Sequence, residues 1–513
     1  MNLGYILQQW AERQKEKVAQ VFEDHRFTYG QMDARVNALC NAFLEFGLKK
    51  GDRVALLTYN NHQFMELFFA CGRMGTILVP LNFRMVGREL EYQLNNSESA
   101  VLYLGEEFQK VIESIRPQLK SVKRFIVIGN PTPDVKMEKY EDLISAYPKT
   151  SPVLSHEVAL EDDFLIIYTS GTTGRPKGAV LTQMNVLFTS FNQIIDFQCV
   201  TKEVNLTMCP MFHVGGSLIF TFPIMHVGGT IVIMKSFDPA KALELIQREK
   251  VTVIFGVPAM WTSIIELPAV KKADLSSLRY CFTGGSSQPV EVMKRLRQTF
   301  RVPITEGYGL SEAISCSSLL PLDRTIEKAG SIGRPFLHNL MRVVNKAGED
   351  IRPGEVGEII QKSPTVMKGY FNNPEATRET IQNGWLRTGD LATVDEDAFI
   401  YIKDRKKDMI ISGAENIYPV EVEQVLQANP KILEAAVIGV PDEKWGESVH
   451  AVVVLKEGKQ MAPEEVIEYC KQNLASYKKP RSVIFVDKLP RNPAGKVLKT
   501  TLRDQFPKTT VKK

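Results

Sequence analysis

Cysteine is sparse in this 513-residue chain: the seven at positions 40, 71, 199, 209, 281, 316 and 470 are scattered and never form a C-x-x-C pair. An odd, dispersed set builds neither a disulfide framework nor a zinc site, and it fits a reducing, cytoplasmic setting. Long apolar runs are also missing. No stretch approaches the ~20 residues needed to span a bilayer, and the start, MNLGYILQQWAERQKEK, has no basic flank ahead of an apolar core. A soluble protein without a transmembrane segment is expected. The end, VKK, is neither a peroxisomal tripeptide nor a prenylation box. Net charge is small too: 63 Lys and Arg against 59 Asp and Glu leave +4, too weak a field to predict a nucleic-acid partner. A small anionic ligand stays open.

What is present is ordinary globular usage, 44% hydrophobic and 24% charged, in a chain longer than the roughly 250 to 300 residues at which single cores stop growing. Several domains follow. Apolar, β-branched runs near 54 (VALLTYN), 164 (FLIIYT), 230 (TIVIM), 251 (VTVIFGV) and 278 (LRYCFTGG) read as strands. Amphipathic helices lie between them, such as PAKALELIQREK from Pro239 and PVEVMKRLRQTF from Pro289, each with proline suited to a first helical turn. The alternation predicts an α/β fold of layered, mostly parallel sheets. From Ser331 short strands punctuated by Gly and Pro predict a β-rich subdomain. After the charge cluster IKDRKKDMII, helix and strand patterns restart as a small α+β module of about 100 residues. The expected division is 1–405 and 406–513, with a hinge between Arg405 and Asp408.

The segment FLIIYTSGTTGRPKG runs from a strand into hydroxyl residues, glycines and one lysine, with a helix expected behind it. Glycines let backbone N–H groups turn around an anion, hydroxyls donate further hydrogen bonds, and Lys177 adds charge. That composition suits a polyphosphate. The Walker pattern is absent, because Gly174 is followed by Arg175 and Pro176 instead of Lys and Ser or Thr, which disfavours a phosphoryl-transfer NTPase. A mobile linker is the plain alternative.

YTSGTTGRPKG resembles the signature loop of the acyl-adenylate-forming superfamily, which includes acyl-CoA synthetases, luciferases and peptide-synthetase adenylation domains. The resemblance covers nearly the whole chain, with further motifs in the family's order, and is nearest to the fatty-acid CoA ligases. Gln183 departs from it, since the family commonly has His there. The resemblance implies that Thr169, Ser170, Gly171, Thr172, Thr173, Gly174 and Lys177 hold ATP phosphates. Gly284, Gly285 and Ser286 of CFTGGSSQP would border adenine and acyl group. In TEGYGLSE, Glu306, Gly307, Tyr308 and Gly309 would line the nucleotide, with Tyr308 a flat surface for the purine. Ser311, where Thr is usual, would lie near the α-phosphate, and Glu312 with Thr172 would hold Mg²⁺. Each motif has a bland counterpart: a strand-to-helix turn, a glutamate favouring a helix dipole, a Gly-Asp turn.

By the same resemblance Asp390 of LRTGD and Arg405 would contact the ribose, and Lys407, at a position where relatives carry Asp or Lys, would be the pivot. A charge run is otherwise a solvated face. Lys496 of NPAGK would be the adenylation lysine, acting with Lys177. His213 of MFHVGG would gate the acyl channel, although a lone histidine beside apolar residues is usually core. Gly413, Ala414 (often Gly in fatty-acid ligases) and Glu415 would line a pantetheine tunnel, and Trp445, Tyr477 and Lys479 would receive the CoA nucleotide. The acyl pocket would involve His213, Val214, Ser217, Trp261 as a wall, Gly284 and Gly309. Apart from Glu312 its segments carry no charged side chain, so an apolar acid is expected, a medium- or long-chain fatty acid ahead of an alicyclic or aromatic one. ATP and CoA would be co-substrates; a homodimer is compatible. A carrier-protein loader, a luciferase-like oxygenase and a non-catalytic binding relative remain open at this point, the last opposed by the intact Lys496, Glu312 and Asp390.

Overall fold

The computed structural model describes residues 2–506 other than 134, 170–175, 286–289, 407, 413–414, 443–444, 475 and 492–496, with the side chains of 290–291, 415–416 and 446 also outside the description. It divides into two compact units, 1–340 with 361–386, and 341–360 with 387–513.

Two large sheets organise the first unit. One has nine strands, and its interior, Val18–Phe22, Thr230–Ile233, Val204–Thr207, Val253–Gly256, Tyr280–Gly284 and Ile304–Tyr308, is parallel. Short antiparallel strands close its edges. In the other, of eight strands, Asp163–Thr169, Ile77–Leu81, Arg53–Leu57, Val101–Gly105 and Arg124–Ile128 run parallel. Strands buried on both faces read as the continuous apolar runs seen in the sequence. Local chemistry sets the helix starts. Thr28 and Gln31 form a capping box for helix Tyr29–Glu45, and Asp238 caps the helix whose first residue is Pro239. Helix His62–Met74, capped by Asn61, is buried on every side, and Gly75 at φ 71° ends it in the left-handed conformation.

A buried carboxylate ties three helices of this unit together. Glu66 accepts from Arg35 Nε (2.8 Å), His62 Nδ1 (2.8 Å) and the Tyr140 hydroxyl (2.6 Å). Gln183, the departure noted above, is also structural. Its fully buried amide accepts the Leu3 N–H at 2.7 Å and donates to the Gly72 carbonyl at 3.1 Å, anchoring the N-terminal helix.

In the second unit residues 390–394 of strand Trp385–Val394 pair antiparallel with Ile400–Arg405. The C-terminal module carries the expected helices, Pro419–Gln427 and Pro463–Asn473, and the expected strands, Ile432–Asp442 and Gly446–Leu455. Ser482–Phe485 adds in parallel, and Lys499–Gln505 is a further helix. No helix among the described residues is long and apolar enough to cross a membrane.

Candidate functional site

The strand Asp163–Thr169 does not lead directly to a helix. It pairs antiparallel with Lys177–Thr182, Thr169 facing Lys177, so residues 170–175 connect a hairpin and the helix waits until Gln183. Ser170, Gly171, Thr172, Thr173 and Gly174 lie outside the described residues, as do Ser286, Lys407, Gly413, Ala414, Lys496 and the Glu415 side chain. The hairpin's flanks are held firmly. Tyr168 donates to Asn96 Oδ1 at 2.7 Å, and Tyr92 donates to the Pro176 carbonyl at 3.1 Å.

Glu312 meets this hairpin. Its Oε1 accepts from Thr169 Oγ1 at 3.3 Å and from the Tyr370 hydroxyl at 2.9 Å, and Lys177 Nζ lies 5.3 Å from the centre of the Tyr370 ring. Burial first, and then the Glu312 carboxylate, push the Tyr370 phenol above its usual pKa, so it stays a donor. Tyr370 was missed from the sequence. It sits in Gly369–Tyr370, a two-residue strand paired with Lys177–Thr182, and nothing in its spacing announces that register. The Met367 N–H holds the Glu312 carbonyl at 2.8 Å.

The ends of Tyr280–Gly284 and Ile304–Tyr308 lie side by side, Thr283 opposite Glu306 and Gly284 opposite Gly307. A Cβ on Gly284 would sit 2.9 Å from the Gly307 carbonyl, and one on Gly309 would sit 1.4 Å from the Ser315 carbonyl, so the backbones touch. Gly285 has φ 84°. Tyr308 and Glu306 are both buried, and Ser311 opens the short helical turn that carries Glu312.

His213 caps the short helix Val214–Leu218, its Nδ1 accepting the Gly215 N–H at 3.1 Å. Burial lowers its pKa, which favours the neutral ring with the proton on Nε2. Ser217 donates to the His213 carbonyl at 3.3 Å, and Val214 is buried. The Phe255 ring lies 3.1 Å from a Cβ position at Gly215 and 3.6 Å from one at Gly284, which brings the His213 segment beside the glycine strand ends. Trp261 does not fit the role of wall. Its indole is fully buried in a second core, edge-on to Phe300 at 5.6 Å, with Nε1 donating to the Gly256 carbonyl at 2.9 Å. A cavity of about 340 Å³ opens at the carboxyl ends of strands from both sheets, where α/β folds place ligands. Tyr59, Phe83, Arg84 and Lys235 line it, and Phe83 meets Phe212, the neighbour of His213, at 5.2 Å.

In the second unit Asp390 and Arg405 are register partners and pair at 3.0 Å, the carboxylate buried and the guanidinium partly exposed. The Arg481 guanidinium lies 4.5 Å from the centre of the Trp445 ring, a partner the sequence did not suggest. Tyr477 is exposed, with Lys478 Nζ 5.7 Å from its ring centre.

The family model described as AMP-binding enzyme matches residues 7–371, and the AMP-binding enzyme C-terminal domain matches 421–496. A feruloyl-CoA synthase of an Amycolatopsis species is 39% identical over 93% of this chain and 94% of its own. A long-chain-fatty-acid–CoA ligase of Mycobacterium tuberculosis is 37% identical over 100% of both. Among solved structures, the o-succinylbenzoate CoA synthetase of Bacillus subtilis in complex with its acyl-adenylate intermediate superposes with a TM-score of 0.85 at 32% identity, covering 97% of this chain and 98% of that one. The chain therefore belongs to the acyl-adenylate-forming superfamily, in its acyl-CoA synthetase branch. It is an AMP-forming acid–thiol ligase, with ATP and CoA as co-substrates of an adenylation and a thioesterification.

Proposed function

We propose that this ligase activates an apolar carboxylic acid, a medium- or long-chain fatty acid first, and passes it to free CoA. What supports this is the make-up of segments 213–219, 284–286 and 309–318, which carry no charged side chain besides Glu312, itself engaged with Thr169 and Tyr370. A second carboxylate or an α-amino group buried there would stand unpaired. An aromatic acid is the second reading, favoured by the 39% identity to a feruloyl-CoA synthase.

In the first half-reaction an oxygen of the substrate carboxylate bonds to the α-phosphorus of ATP and pyrophosphate departs with the bridging electron pair. The loop 170–174 and Lys177 hold the leaving phosphates, and Lys496 offsets charge at the attacked phosphorus. Glu312 and Thr172 would hold a magnesium ion, a fit for a cation that takes one or two carboxylates beside substrate phosphates and neutralises their charge. Asp390 and Arg405 receive the ribose. In the second half-reaction the module 406–513 turns about Lys407 and withdraws Lys496. Gly413, Ala414 and Glu415 then pass the pantetheine arm. The thiol gives up its proton to water, its sulfur bonds to the acyl carbonyl carbon, and the carbon–oxygen bond to AMP breaks with the electron pair leaving on AMP. Trp445, Tyr477 and Lys479, with Arg481, receive the CoA nucleotide.

Purified protein incubated with acids of graded length and ring content should show carboxylate-dependent exchange of pyrophosphate into ATP and CoA-dependent AMP release, highest for C8 to C18 chains. Higher turnover with a cinnamic acid would move the assignment to the aromatic reading, and no exchange with any acid would end it. Lys496→Ala should lose exchange yet still transfer a preformed acyl-adenylate to CoA.

A further inference from the structure

Asp404 stands just before the expected pivot, yet one of its two backbone partners lies beyond it. The register between Trp385–Val394 and Ile400–Arg405 slips by one residue, Leu391 facing Asp404 and Ala392 facing Ile402, so Lys403 bulges out of the pair. A bulge re-aims the next side chain. Here Asp404 is turned inward and is only 3% exposed. Its Oδ2 accepts the Val420 N–H at 3.0 Å, and its Oδ1 accepts its neighbour Arg405 N–H at 2.6 Å.

Val420 is in the first turn of helix Pro419–Gln427, whose N-cap residue, Tyr418, makes no side-chain cap. Asp404 therefore supplies from another strand the carboxylate such a helix start favours. The Lys499 ammonium, largely buried and paired with Glu423 at 2.8 Å, lies within electrostatic range of the same carboxylate. Lys499 begins helix Lys499–Gln505, three residues after Lys496, and Arg503 of that helix pairs with Asp408 at 2.9 Å.

We propose that Asp404 is a positioning residue, a latch that holds one of the two arrangements of the C-terminal module by capping its first helix and attracting Lys499, three residues along the chain from Lys496. This rests on the two-arrangement reading above. A turn about Lys407 carries Val420, Glu423 and Lys499 away from Asp404, which stays on its strand, so the cap and the attraction to Lys499 exist in one arrangement only. Freed of them, the module spends more time in the other arrangement, and the two half-reactions respond in opposite directions.

The test measures both half-reactions separately in the full-length protein: ATP–pyrophosphate exchange for adenylation, and single-turnover AMP release on adding CoA to enzyme preloaded with acyl-adenylate. Asp404→Asn keeps an acceptor for Val420 but removes the charge, and Lys499→Met removes the ammonium while keeping the stem. Each should move the ratio of the two rates about tenfold in the same direction, the scale of one lost attraction between opposite charges in a partly desolvated site. The double variant should move it little further, because both remove the same attraction. Ratios within about twofold of wild type in both single variants, with the two rates falling in step, would show a merely structural role and overturn the latch. A wild-type protein without either half-reaction would instead overturn the function on which it rests.

Discussion

Glu312 Oε1 takes hydrogen bonds from Thr169 and Tyr370, which orients the carboxylate before any substrate arrives. Tyr370→Phe should therefore lower the adenylation rate about tenfold, the scale of one lost hydrogen bond to a charged group. Glu312→Gln should lower it about a hundredfold, read by ATP–pyrophosphate exchange at saturating acid. Histidine sets a pH limit at the same scale. His226, hydrogen-bonded through Nδ1 to Ser190 Oγ at 2.9 Å, has its pKa lowered by burial from 6.5 to about 4. Between these values the unfolded chain binds the proton that the folded chain refuses, so stability falls as pH drops from 6.5 towards 4. Unfolding midpoints measured across that interval should show the loss, and His226→Gln should flatten it. Thr169, Lys177 and Glu312 could be named from the sequence because each sits in a motif whose residue types match phosphate and metal chemistry. Tyr370 could not, since its only signal is the strand it completes.

At the scale of elements, strand ends and turns do the positioning. The Gly309 backbone lies against the Ser315 carbonyl, and the turn that achieves this holds Ile314 and Ser315 at φ 52° and 89°, which costs energy in residues with a Cβ. Gly309→Ala must push this turn away, and a loss of about 3 kcal/mol in chemical denaturation is expected, together with weakened adenylation. Gly285→Ala, where the nearest atom is a Val257 methyl 3.6 Å away but φ is 84°, should cost only about 1 kcal/mol. The five strands read from apolar runs all form, because burial on both faces leaves an unbroken signature. The hairpin strand Lys177–Thr182 escaped notice, since its run KGAVLT begins with the lysine and glycine of the phosphate loop and its pairing partner lies on the loop's other side.

For the whole molecule the seven cysteines make a simple check. All are buried and unpaired, and burial raises the thiol pKa of each. A thiol-reactive dye should label none in the native protein within minutes and all seven after denaturation, with no change in unfolding midpoint on adding reductant. The chain by itself determined the α/β class, the β-rich stretch, the helix and strand succession of the C-terminal module and the chemistry-bearing motifs. These depend on periodicity and residue type over a few neighbours. Tertiary structure decided which groups meet: Tyr370 with Glu312, Trp261 with the second core, Gln183 with Leu3 and Gly72, and Asp404 with Val420. Such meetings follow from sheet register and from a single bulged residue. A slip of one position sends a side chain to the opposite face while leaving the local sequence pattern unchanged.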